Sequence, residues 1–111
     1  MTVTVSNIIP PRQAEAVQTS QYTSENAKTI IDKFTATNTS SANVDLSVNL
    51  VENGGTPGNS NLVVNARTLA PGETYTFPEL VGQVLEDGGF ISTLASAATS
   101  LTISAAGRLI T

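Results

Sequence analysis

Glu86 and Asp87 are the only adjacent carboxylates in the chain, and Gly88-Gly89 follows them. A calcium loop needs more oxygen ligands at alternating positions than this segment offers. It reads instead as an acidic turn leaving a short helix. Asp32-Lys33 has the composition of an acid–base couple, but lies where a solvated strand face is expected. Serines are abundant, yet the chain has no His, and its only lysines are Lys28 and Lys33. Ser–Lys pairing is then the nucleophile chemistry left open, and no motif supports it. Gly54-Gly55 and Gly58 sit in a loop with no Lys in phosphate-loop spacing, so they read as turn glycines. Asn38-Thr-Ser40 fits the glycosylation acceptor pattern, a three-residue match that is common by chance. The sequence therefore predicts a non-enzyme with no catalytic, cofactor-binding or metal-binding residue, and no cofactor.

Composition narrows the classes further. At 111 residues the chain is long enough for one real core and too short for two. The absence of Cys removes disulfides and thiolate chemistry, and the absence of His removes the commonest general base and metal ligand. Charged residues make up 13% of the chain and the net charge is −4, a balance that repels nucleic acid. The five basic residues are scattered, so no basic aromatic stripe is available for single strands. No apolar run approaches the length that spans a membrane, and the start, Met1-Thr-Val-Thr-Val-Ser, lacks the blocks of a signal peptide. Val, Ile and Thr are frequent, which favours pleated strands over disorder.

Such a surface must be carried by strands, and Asn43-Val-Asp-Leu-Ser-Val-Asn-Leu-Val51 shows the pattern best. Val44, Leu46, Val48 and Leu50 alternate with polar residues, so all four are predicted to face a core. Thr2–Val5 alternates as well, until Ile8-Ile9-Pro10-Pro11 stops it; neither proline can donate a ladder hydrogen bond, which makes this an edge strand or an extended arm. Ala14–Tyr22 reads as a weak strand, Ser24–Lys28 as a loop or single helical turn, and Thr29–Thr37 as a strand. After the loop of Glu52–Ser60 comes Asn61–Leu69. Ala70-Pro-Gly-Glu73 carries a type II turn signal, with Pro71 presetting φ and Gly72 supplying a positive one. Glu73–Phe77 resumes alternation. Over 78–86, Leu80, Val81, Val84 and Leu85 recur at helical spacing behind Pro78, predicting a short helix or helical turn. Phe90–Ala95 and Leu101–Ala105 supply two last strands.

The sum is seven or eight short strands with turns roughly every ten residues, the signature of a sandwich or barrel. The predicted fold is all-β: an antiparallel β-sandwich, with jelly-roll and immunoglobulin-like arrangements both open. Residues 1–13 form the N-terminal extended arm or edge strand, and 14–111 a single sandwich domain.

Three segments, Ile31–Ser40, Asn61–Phe77 and Gly89–Ala95, together resemble a family of small structural proteins of tailed bacteriophages. The resemblance covers the last three-quarters of the chain, and strings such as Leu69-Ala-Pro-Gly-Glu-Thr74 also occur in immunoglobulin-like domains generally. It implies a virion protein made in the host bacterial cytoplasm. Within that family the implied role is a capsid decoration or cement protein on the major capsid protein lattice, commonly a homotrimer. A tail, neck or fibre accessory, or an immunoglobulin-like adhesion module binding a host-surface carbohydrate or protein, is the alternative. The partners expected are other virion proteins and further copies of the chain, not nucleic acid or membrane. Thr2–Val5 with Ile8-Ile9 is the apolar arm expected to mediate self-association.

Overall fold

The computed structural model describes all residues, 1–111. Its nine strands form two antiparallel sheets packed face to face. The first sheet contains β1 (Val3–Gln13), β9 (Leu101–Ile110), β3 (Lys28–Asn38) and β6 (Thr74–Thr76) in that order, and β7 (Val84–Leu85) also pairs with β3. The second has the order β2 (Thr19–Thr23), β8 (Phe90–Ala95), β4 (Val44–Val51) and β5 (Leu62–Leu69). Apart from one 3₁₀ turn at Asn59–Asn61, nothing in the chain is helical.

The pairing is nested. β4 pairs with β5, β3 with β6 and β7, β2 with β8, and β1 with β9, all antiparallel. The chain is thus one long hairpin-like ribbon, innermost at the β4–β5 connection, wound so that successive pairs fall in different sheets. That is the double-sheet jelly roll, and it resolves the two topologies the strand pattern leaves open.

The core forms where alternate residues of both sheets meet. Ile9, Ile31, Phe34 and Ile103 from the first sheet face Leu46, Val48, Leu69 and Ile91 from the second, and all are fully or almost fully buried. Each such side chain contributes roughly 1.5–3 kcal/mol by leaving water. Phe77 packs edge-on against Phe34, with ring centroids 5.4 Å apart. In β4, Val44, Leu46 and Val48 are buried as the alternation predicts. Leu50 packs against the same core but is only half-buried, while Asn49 and Val51 are buried beneath the following loop. Asn49 survives burial because its amide is satisfied: Nδ2 donates to the Gly58 carbonyl and Asn61 Oδ1, and Oδ1 accepts from Gln18 Nε2.

Four sequence expectations need correction. The helix or helical turn expected over 78–86 is a run of reverse turns leading into β7. Leu80, Val81 and Gln83 donate to carbonyls three residues back, and Gly82 takes φ +84°. Ile31 of β3 then captures the segment, donating to the Gln83 carbonyl at 2.9 Å and accepting from Gly82 at 2.7 Å. Leu80 and Leu85 are buried while Val81 and Val84 are exposed, so the four never shared one helical face. Secondly, Pro10 and Pro11 do not stop β1. They fall in register shifts between Ser6 and Arg12 on an outer strand, where a missing donor costs little. Thirdly, the weak strand at Ala14–Tyr22 begins only at Thr19, since the preceding residues carry the chain from one sheet to the other. Lastly, β9 continues past Ala105 to Ile110. Gly107 permits this: a Cβ there would lie 2.5 Å from the Ile30 carbonyl oxygen, at a bulge where Asp32 is the extra residue.

Candidate functional site

The residues singled out for chemistry are drawn apart. Glu86 lies 3.5 Å from Lys28 Nζ, whereas Asp87 accepts from the Asn26 backbone N–H at 2.8 Å. The acidic pair therefore holds the β2–β3 and β7–β8 loops together. Asp32, set outward by the bulge, receives Arg108 Nε and Nη2 in a two-pronged contact at 2.9–3.1 Å. Hydrogen bonding to Asp32, then its charge, raises the Arg108 guanidinium above its usual pKa. A raised cation keeps its charge until strong alkali, so nothing on the Arg108 side undoes the contact at neutral pH. Lys33 is exposed and opposite Ala106. The buried serines, Ser24, Ser92 and Ser100, are bonded to carbonyls and neutral side chains rather than to either lysine. No three carboxylates, Cys or His lie close enough to hold a metal ion.

The glycosylation pattern at Asn38 also changes meaning. Asn38 is fully buried. Its Nδ2 donates to the Ala42 and Leu69 carbonyls at 2.8 and 2.9 Å, and its Oδ1 accepts from both the N–H and the hydroxyl of Ser40. Its backbone pairs with the type II turn as well, donating to Glu73 O and accepting from Gly72 N. Asn38 is a clasp joining the β3–β4 loop to β5 and the turn at residues 70–73, and no sugar could be attached without opening it.

What the surface does offer is a strand edge. β1 is the outermost strand of the first sheet. Ile8 and Ile9, expected to lie in an exposed apolar arm, are buried in the chain's own core. Val3 and Val5, by contrast, are 50% and 80% exposed. Thr2 and Thr111 exchange both backbone hydrogen bonds, at 3.0 and 2.9 Å, and Val3 through Ser6 then run in unbroken register with Ile110 through Gly107. In an antiparallel pair, hydrogen-bonded and non-hydrogen-bonded positions alternate. Thr4 and Ser6 therefore point their backbone groups at β9, and Val3 and Val5 point theirs outward. The sequence signal was present in Thr2-Val-Thr-Val5, but periodicity alone does not say which neighbour a strand acquires.

Smaller apolar features lie elsewhere. Val17 is 67% exposed, and Leu94 lines a shallow hollow with Ala16, Asp45, Ser47 and Ala66 on the outside of the second sheet. Arg67 lies over the Tyr75 ring, 3.9 Å from its centroid, a cation–π contact that no spacing pattern along the chain signals. No helix is long and apolar enough to cross a membrane.

These features define a jelly-roll sandwich whose surface presents backbone edges and small apolar patches rather than a pocket of convergent reactive groups. No family model matches the chain, and no curated protein matches it. Among solved structures, a chain from the structure of infectious bursal disease virus Gx strain resembles it over 97% of this chain and 32% of that one. The TM-score is 0.55 and the identity 17%. The chain spans about a third of the length of that neighbour, and the likeness is one of fold.

Proposed function

We propose that the protein is a non-enzymatic structural component of a virion, specifically a decoration or cement protein of a tailed-phage head that binds the major capsid protein lattice. The observation that carries this reading is the nested β1–β9, β2–β8, β3–β6 and β4–β5 pairing, since the jelly roll is an architecture of viral shell domains. A solved chain of a virus with the same fold supports it, as does the phage resemblance of Ile31–Ser40, Asn61–Phe77 and Gly89–Ala95. Cementing needs no reactive group. A protein that binds the assembled shell better than its free subunits stabilises the shell by mass action, and many copies on a symmetric lattice add avidity. Homo-oligomerisation belongs to the same reading, with three-fold assembly the form that the resemblance implies.

Net charge −4 provides no counterion release to drive binding to packaged nucleic acid. Contacts with the lattice should be strand edges, loop tips and apolar patches, so affinity should vary only weakly with ionic strength. The test is binding to undecorated, expanded heads across a salt series. Retention at high salt is the expected outcome. Failure to bind heads, with binding to tails or host glycans instead, would move the protein to the adhesion or tail-accessory class.

A further inference from the structure

We infer that the Thr2–Ser6 edge of β1 is a self-pairing strand that joins two copies of this chain across a two-fold axis into one continuous sheet. The inference stands apart from the virion reading and rests on the edge alone. Each open strand edge of a sandwich invites another chain unless something blunts it: shortness, charge, proline or a bulge. β6 and β7 are three and two residues long. β2 has five residues and a register shift. β5 carries Arg67 and two register shifts, and its Ala66 takes φ +50°. The second half of β1 has Pro10, Pro11 and two register shifts. The first half is as short as β2 but has no charge, proline or register shift. Thr2-Val-Thr-Val-Ser6 is regular, uncharged and largely β-branched, and its exposed valines carry the outward-pointing backbone groups.

The segment is also complementary to itself. Laid antiparallel against a second copy with Thr4 on the axis, Val3 of each chain stands opposite Val5 of the other. Both are positions whose N–H and C=O point outward, so each Val3–Val5 pair exchanges two hydrogen bonds. Val3 and Val5 lie on one face of the strand, so the pairing also gathers four exposed valine side chains into one patch. The threonines meet on the opposite face as a non-hydrogen-bonded pair, a favourable cross-strand combination. The contact is much smaller than a standard stable interface. It gives a weak, concentration-dependent dimer in solution, strengthened wherever copies are held side by side.

Sedimentation equilibrium of the full chain over a wide concentration range is the test. The expected result is a reversible species of twice the 11.5 kDa chain mass. Val5→Pro removes an outward N–H that β9 does not use, so the fold and thermal midpoint should be kept. Dimerisation should weaken by about tenfold or more with the loss of a hydrogen bond on each side of the axis. Thr4 is already extended, as a residue before proline must be. Val3→Lys combined with Val5→Lys tests the same edge through charge with the backbone donors intact, and carries the test should Val5→Pro lose its fold. Val17→Lys, in the connection between β1 and β2, should leave the dimer unchanged. A chain that stays monomeric at millimolar concentration, or self-association of any order that is indifferent to both edge variants, would overturn the inference.

Discussion

Asn38 shows how one side chain can be misread from its neighbours in sequence. Asn38-Thr-Ser40 has the acceptor spacing for a sugar, and the same spacing lets Ser40 cap the amide from two residues away. Only the position of Leu69, thirty-one residues on, reveals which use is made of it. Asn38→Ala would take the side-chain donor from the buried Leu69 carbonyl and the acceptor from the Ser40 N–H, while the Ala42 carbonyl keeps the Ser40 hydroxyl. At roughly 1–3 kcal/mol for each buried group so stranded, it should destabilise the fold by about 2–4 kcal/mol in urea unfolding. A loss no greater than that of an exposed Asn59→Ala variant would show that the clasp is dispensable. Other single-residue readings were legible without the structure. Gly72 was assigned a positive φ from Pro71-Gly72 and has φ +78°, because a turn is a local event that four residues decide.

Strands were legible to the extent that burial is one-sided. In β4 the alternation located Val44, Leu46 and Val48 correctly, and it weakened at Asn49 where the loop of residues 52–61 covers the second face. Leu46→Ala should therefore cost on the order of 2–5 kcal/mol through the cavity left in the core. Asp45→Ala, whose carboxylate only accepts from Thr68 at the surface, should cost far less in the same denaturant assay. Equal losses would mean that the register is wrong. The segment at 78–86 failed for the converse reason. Leu80 and Leu85 are buried as a plug and as a strand residue respectively, so two unrelated contacts produced a spacing that imitates a helix. The prolines of β1 failed because their tolerance depends on being at an edge, and edge position is a property of the sheet, not of the strand.

At the scale of the whole molecule, the sequence contained the all-β, two-layered character of the fold, but not the pairing. An alternating strand carries no label for its partner, so jelly-roll and immunoglobulin-like windings were equally compatible with it. The edge at Val3 and Val5 was visible as composition and became a candidate interface only once β9 had claimed the alternate backbone groups. The nested ribbon also sets the order in which the chain can be closed. β4 and β5 are separated by one loop, whereas Val3 meets Ile110 across nearly the entire chain, and closure entropy rises with the length of chain enclosed. Pairing should begin at the β4–β5 hairpin and zip outward, each pair shortening the effective loop for the next. Refolding should be slow, in the millisecond-to-second range of topologies dominated by distant contacts. In stopped-flow experiments, Leu46→Ala should slow refolding, while Ile9→Val should chiefly accelerate unfolding. The reverse pattern would place the nucleus at the termini. With β1 the last strand to dock, the newly made protein spends its final moments of folding with the self-pairing segment still loose. The partner copy could then capture it before its own sheet does, so that the same edge which joins two finished molecules is also where two unfinished ones would exchange strands.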